Sequence, residues 1–299
     1  MGTAESQLSS NVGDLFASRH ADAAQVLRTY AQENTGDYEA LDTERDNILG
    51  GLTWVWQAQQ DDQLVRCGRY LGQYFIWRGY WEIGREWLSR CIRAAGRQAD
   101  QVHEAWLRHH YGSLLERLGD PETAYEQYQC ALRLSEELGQ PDGIADALHQ
   151  MGTVLLNQGR YAEARSLLER SLALKEDLGN QIGVAATLHQ LASIALEQGH
   201  YKEAETLLER SFAIQDALDD SYGMAATLHQ LAHIAAEQGR YAEAQELYAQ
   251  CLALDEQLGN PAGYAATQGQ LGHICIQSER RLSPGRRLPD RRQRAVSSF

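Results

Sequence analysis

Apolar residues in this chain recur three and four positions apart, in short stripes that each end at a glycine. Leu148, Met151, Gly152 and Leu155 make one stripe, which stops at Gly159. Tyr161, Ala164, Leu167, Leu168, Ser171 and Leu174 make the next, which stops near Gly179-Asn180. That spacing lays apolar side chains along one face of an α-helix, and a glycine just past the stripe can take the left-handed conformation that ends it. The pattern predicts pairs of amphipathic helices, neither of which buries its stripe alone.

The pair is itself repeated every forty residues. Ala147-Leu148-His149-Gln150 returns as Thr187-Leu188-His189-Gln190 and Thr227-Leu228-His229-Gln230, and Gly143 returns as Gly183 and Gly223. Gly159-Arg160-Tyr161-Ala162-Glu163-Ala164 likewise returns at Gly199 and Gly239. Stepped back by forty, Gly112, Leu115, Gly119, Ala124 and Leu132 fit the template, with Pro121 where a first-turn proline is tolerated. One more step finds Gly72, Gly79, Trp81, Gly84 and Ile92. Five complete helix pairs are expected from about residue 62 to 262, and a sixth begins at Gly263. Before them, Val12 to Gln32 and Tyr38 to Gln60 read as helices separated by Asn34-Thr35-Gly36-Asp37. The expected organisation is a helical linker over 1–61, a repeat array over 62–277 and a poorly ordered basic tail over 278–299. Its fold class is an all-α, right-handed solenoid, whose extended surfaces suit binding better than catalysis.

The Gly, Tyr and Ala pattern resembles the tetratricopeptide repeat. The forty-residue unit with its Thr-Leu-x-x-Leu-Ala core, as at Thr187-Leu188 and Leu191-Ala192, is similar to the variety in kinesin light chains and bacterial regulators. A second resemblance lies upstream, in Glu44-Arg45-Asp46-Asn47, Trp54, Tyr74-Phe75-Ile76-Trp77-Arg78-Gly79 and Gly84-Arg85-Glu86-Trp87-Leu88. It is similar to the segment joining the nucleotide-binding core to the repeats in STAND-class regulatory ATPases, the NB-ARC and large LuxR-like types. That resemblance implies a sensor or partner-binding arm, with an upstream NTPase domain as one partner. The chain itself contains no GxxxxGK[ST] phosphate loop.

Composition narrows the partners. Hydrophobic residues make up 43% of the 299, yet no run approaches the ~20 apolar residues that cross a bilayer. Met1 to Asn11 is polar and lacks the order of a secretory signal, so a cytoplasmic protein without a membrane partner is expected. Cys67, Cys91, Cys130, Cys251 and Cys275 form no CxxC pair and read as small buried residues rather than ligands. The net charge is −14 although residues 278–299 hold seven arginines, so the acidity lies in the repeats and opposes contact with nucleic-acid phosphates. The arginine run has two readings. It is a basic tail, which would make nucleic-acid binding an alternative function, or it is the product of a frameshift. Ser278 to Gly285 can be encoded by a string that opens with one tetranucleotide written twice. Deleting one copy restores a glycine, a tyrosine and an alanine forty residues after Gly239, Tyr241 and Ala244.

His109, His149, His189 and His229 hold one place in four successive units, the last three followed by Gln150, Gln190 and Gln230. The kinesin-light-chain resemblance implies that this position lines a concave groove, where imidazole and amide groups can bond a peptide backbone. The other reading is that the ladder bonds the neighbouring helix. A groove that used free imidazoles would change its affinity between about pH 6 and 7. His229 and His233 lie one turn apart, with His273 one repeat further, a spacing that metal ligands can use. No carboxylate or cysteine completes the set, so a metal-dependent enzyme is the alternative and the expectation is a non-catalytic protein without a cofactor. Trp77, Trp81 and Trp87 are expected to fill the core. Trp77 and Trp106, however, align with Asn157 and Asp146, and if exposed would mark a docking surface for a protein or peptide. Glu163, Glu169 and Glu176 read as a solvated outer face. The truncated last unit is expected to bare Ile274 and Ile276, which offers a route to self-association.

Overall fold

The computed structural model describes residues 25, 26 and 28–282, the last seven by their backbone alone. The stretch 12–24 of the first expected helix, and the tail from 283 on, lie outside the described residues. A helical segment over 28–33 leads through a turn at 34–36 into α1 (Tyr38–Thr43) and α2 (Arg45–Gln57). Five hairpins follow: α3 (Asp61–Trp77) with α4 (Trp81–Arg97), α5 (Gln101–Arg117) with α6 (Pro121–Leu138), α7 (Pro141–Asn157) with α8 (Tyr161–Asp177), α9 (Gln181–Glu197) with α10 (Tyr201–Ala217), and α11 (Ser221–Glu237) with α12 (Tyr241–Gln257). The last helix, α13, spans Pro261–Leu282. No strand occurs among the described residues. Where one helix was expected over 38–60 there are two, because Glu44, at φ −105° and ψ 12°, breaks the run between α1 and α2.

The chain divides into two compact units, one up to Leu178 and one from Gly179 on. In both, a residue with positive φ recurs every twenty positions, from Gln59 to Gly259. Gly159 shows what that residue does. At φ 74° it lets its own N–H reach Leu156 O at 2.9 Å and the N–H of Arg160 reach Leu155 O at 2.9 Å, closing the carbonyl end of α7. Helices α3 to α12 are therefore all 17 residues long except α6, about 25 Å each. At position 279 the same register carries Glu rather than Gly, and α13 continues through it to 22 residues. Gln59, Ala99 and Asp219 hold the left-handed conformation without being glycine.

Packing within a hairpin depends on close approach. A Cβ added at Gly112 would lie 2.6 Å from the Tyr128 ring, and one at Gly152 would lie 2.7 Å from Leu168 Cγ. A second device is a bond from the partner helix to a backbone carbonyl of the first. Ser171 Oγ donates to Ala145 O at 2.7 Å and Ser211 Oγ to Ala185 O at 2.9 Å. The thiols of Cys91 and Cys251 reach Leu64 O and Ala225 O at 3.4 and 3.3 Å. This explains why the position takes only small residues. Cys67, Cys91 and Cys251 are buried, but Cys130 is half-buried and Cys275 is exposed on α13, the last helix among the described residues.

In the first unit, α1 and α2 extend the core, placing Leu41, Ile48, Leu52 and Val55 with Leu64, Leu71 and Phe75. They are fastened by Asp42, which accepts from Tyr74 Oη at 2.8 Å, from Tyr80 Oη at 3.0 Å and from the Arg78 guanidinium. Burial acts to raise the Asp42 carboxyl, but those three donors outweigh it and hold it below the ordinary carboxylate value. Arg45 donates to Tyr80 Oη at 3.1 Å, so Arg45, Tyr74 and Arg78 of the upstream motif meet in one network.

Two expectations about apolar residues are corrected. Of the three tryptophans expected in the core only Trp87 is there; Trp81 is 37% and Trp77 69% exposed, because both stand at helix ends beside the α3–α4 turn. Ile274 is not bared by the last helix but buried against Ala232, Ala235, Ala244 and Tyr248, and the Ile276 side chain lies outside the description. Two substitutions test this account by chemical denaturation. Gly112→Ala, which drives a methyl into Tyr128, is expected to destabilise by about 1–3 kcal/mol. Ala99→Gly relieves a left-handed alanine and is expected to stabilise by roughly 0.5–1 kcal/mol.

Candidate functional site

Ladder positions lie on the first helix of each hairpin, and the forty-residue register carries them back beyond His109 to Arg69 on α3. In the first unit this face opens into two cavities of about 730 and 560 Å³ that share Gln73, His109 and His110. The larger is walled by Trp77, Trp81, Arg117 and Gln150, the smaller by Arg69, Trp106, Asp142 and Asp146. Helices α3, α5 and α7 thus supply one groove, to which α4 adds Trp81. The indole N–H of Trp81 donates to Ile76 O at 3.1 Å, which pins its ring at the rim.

The tryptophans differ. Trp77 stands out into solvent. Trp106 is half-buried, with its ring 3.8 Å from that of His110 and the Arg69 guanidinium 5.9 Å from its centroid. His109 lies 5.6 Å from the Tyr128 ring, whose hydroxyl donates to Glu116 at 2.6 Å. Burial raises the Glu116 carboxyl despite that bond.

Burial also decides the charge of the imidazoles. It pushes His110 down to about 3, with His109 and Arg69 adding to the effect, and His149 down to about 3, with Lys175 and His109 adding. His109 is lowered too, by burial and Lys175 against the pull of Asp146. Lys175, on α8, is itself 3% exposed, lies 3.4 Å from Asp146, and is lowered by burial. The expectation of a histidine ladder that switches between about pH 6 and 7 is therefore corrected at His149: its ring, like that of His110, is pushed well below that window, and His109 is shifted in the same direction, because desolvation penalises the cation.

In the second unit the ladder turns to the neighbouring helix. Gln230 Nε2 on α11 donates to Ser193 Oγ on α9 at 3.1 Å, while burial lowers His189, whose Nε2 is buried without a hydrogen-bond partner among the described residues. His229 meets the Tyr248 ring edge-on at 5.3 Å, and burial lowers it. Gln190 is half-buried on α9, and His233 lies 3.9 Å from Glu237. Among the described residues no group of three or more His, Cys, Asp or Glu side chains could hold a metal, so His229, His233 and His273 form no such set. Nor is any described helix long and apolar enough to cross a membrane.

Residues 143–217 and 223–281 match the tetratricopeptide repeat family. These segments are tetratricopeptide repeats. No curated protein matches the chain. Among solved structures, the chain is similar to a putative kinesin light chain of Podosopora anserina with nearly identical TPR-like repeats, at 21% identity and a TM-score of 0.54, over 65% of this chain and 96% of that one. The apo quorum sensor NprR from B. thuringiensis aligns at 15% identity with a TM-score of 0.63, over 92% of this chain and 76% of that one. NprR in complex with its cognate peptide NprX aligns at 18% identity and 0.62, over 91% and 77%. At these identities the likeness establishes the fold, an all-α solenoid of TPR-like hairpins.

The sequence reading missed Arg69, Gln73, His110, Ser113 and Arg117 as groove residues. The signal for them was present: Arg69 stands forty before His109, and His110 forty before Gln150. Lys175 carried no such signal, since its equivalents are Ser135, Gln215 and Asp255.

The buried histidines set a pH dependence of stability. An unfolded histidine titrates near ~6.5, so between about 3 and 6.5 the unfolded chain binds more protons than the folded one. Stability is complete above that window and falls as pH drops through it, by up to about 1.4 kcal/mol per pH unit for each such histidine. Denaturant titrations at pH 7, 6 and 5 are expected to show this fall, and His110→Gln to make it shallower.

Proposed function

We propose that the tetratricopeptide repeats bind a peptide or protein segment, and that the groove of the first unit, on α3, α5 and α7, receives it. The observation that supports this most is the pair of cavities sharing Gln73, His109 and His110 beneath an exposed Trp77. Such a surface combines apolar area with amide and neutral imidazole groups that both donate and accept, which suits an extended backbone. The NprR complex, in which a protein of like fold holds its cognate peptide, is consistent with the reading. His109, Gln150, Trp106 and Trp77 are the contacts assigned in this groove; His149 lies beneath it, and His189, Gln190, His229, Gln230 and His233 have their counterparts on the second unit.

On this reading the protein acts by recognition, without catalysis or a cofactor, in the cytoplasm. The upstream motif extends it to the sensor arm of a STAND-class regulator. There α1 and α2, fastened to the first hairpin through Asp42, would join the repeats to an NTPase domain.

The test is a random-peptide display selection on the full chain, with affinities of the selected peptides measured by calorimetry. Trp77→Ala, at an exposed site, is expected to leave the far-UV circular dichroism unchanged and to weaken those peptides at least tenfold, the scale of an aromatic anchor. Selected peptides indifferent to both Trp77→Ala and Trp106→Ala would overturn the groove assignment.

A further inference from the structure

Within the second unit, α11, α12 and α13 enclose a separate cavity of about 230 Å³, and Asp255 lies at its wall. Asp255 is 3% exposed, yet its hydrogen-bond partners are an amide and a thiol: Asn260 Nδ2 donates to Oδ1 at 2.8 Å, and the Cys251 thiol lies 3.7 Å from Oδ2. Among the described residues it makes no ion pair with a lysine or arginine. His229, also in the wall, is lowered by burial.

The register shows that this arrangement is particular to Asp255. The same position carries Ser135, Lys175 and Gln215 in the preceding hairpins, all buried. Lys175 meets Asp146, and Gln215 accepts from Thr227 Oγ1 at 2.8 Å, so both are satisfied within their own units. Asp255 alone brings a full negative charge. Gly263 leaves room for the carboxylate, since a Cβ there would come within 2.5 Å of Asp255 Oδ1, just as Gly143 and Gly223 leave room for Ser135 and Gln215. Taking a carboxylate out of water is unfavourable unless a countercharge meets it. The cavity leaves room beside it for a guanidinium or ammonium head, and Tyr222, 62% exposed, adds an aromatic face on which such a cation can stack.

We infer that this cavity is a subsite for one basic side chain, arginine or lysine, of a bound peptide, with Asp255 as its countercharge. The inference rests on the repeats being a peptide-binding module but not on the groove of the first unit. The chain's own Arg286, Arg287, Arg291, Arg292 and Arg294 supply the same chemistry, and the test separates the two sources.

Display selection is run on the full chain and, in parallel, on Asp255→Asn, which keeps an acceptor for Asn260, and on Asp255→Gln, the residue found at 215. Thermal melts by circular dichroism establish that both variants fold. Peptides whose capture falls at least tenfold on both variants are expected, to carry Arg or Lys at one shared position, and to be unaffected by Trp77→Ala. Absence of variant-sensitive peptides, or sensitive peptides without a shared basic position, overturns the subsite while leaving the Trp77 result to judge the groove. A second arm repeats the selection with the five tail arginines changed to Gln. Stronger enrichment of basic peptides there assigns the resting occupant to the chain's own arginines, and unchanged enrichment assigns it to a separate peptide. Both results keep a cation at Asp255.

Discussion

The left-handed residue that closes a helix every twenty positions is the constraint on which the rest of this protein depends. It fixes the length of α3 to α12 almost to the residue, and so fixes which side chain of one helix meets which of the next. Only with that spacing can Gly112 sit under Tyr128 and Gly152 under Leu168, or Ser171 and Ser211 reach the carbonyls of Ala145 and Ala185. At position 279 the left-handed residue is missing, the helix runs on, and no hairpin partner follows among the described residues.

From that regularity comes a chain of equivalent sites that differ in chemistry. The ladder position is Arg69, then four histidines; the buried position on the second helices is Ser135, Lys175, Gln215 and Asp255. One backbone geometry therefore presents very different charges. Around Lys175 the positive charge is met by Asp146 and adds to the burial that lowers His149, while Asp255 faces a cavity. A buried polar group is costly unless bonded, and a buried charge more so. These positions are consequently where a repeat scaffold departs from pure packing.

The histidine ladder shows how identical residues in register acquire different roles. In the first unit His109 and His110 border open cavities, and in the second Gln230 bonds across to Ser193 while burial lowers His189 on the neighbouring helix. Their spacing was plain in the sequence. Their burial, which lowers each of them, was not, because desolvation depends on neighbours such as Trp106 and Tyr128 from other turns and helices. Trp77 and Trp81 make the same point in reverse. A large aromatic is read as core by composition alone, whereas its place at a helix end leaves it in solvent.

The sequence by itself determined the helices, their pairing, the forty-residue period and the small residues at each close approach. All of these follow from local rules, the 3.6-residue turn and the steric freedom of glycine. It also marked the ladder and the exposed-tryptophan candidates as residues that core packing does not demand. Only the tertiary structure decided which of them line a cavity, which hydrogen-bond a neighbouring helix, which imidazoles are shifted by burial, and that Asp255 is buried without a counterion among the described residues. Those outcomes depend on side chains brought together from helices far apart in the chain, where dielectric and partner, rather than sequence spacing, set the energy of each group.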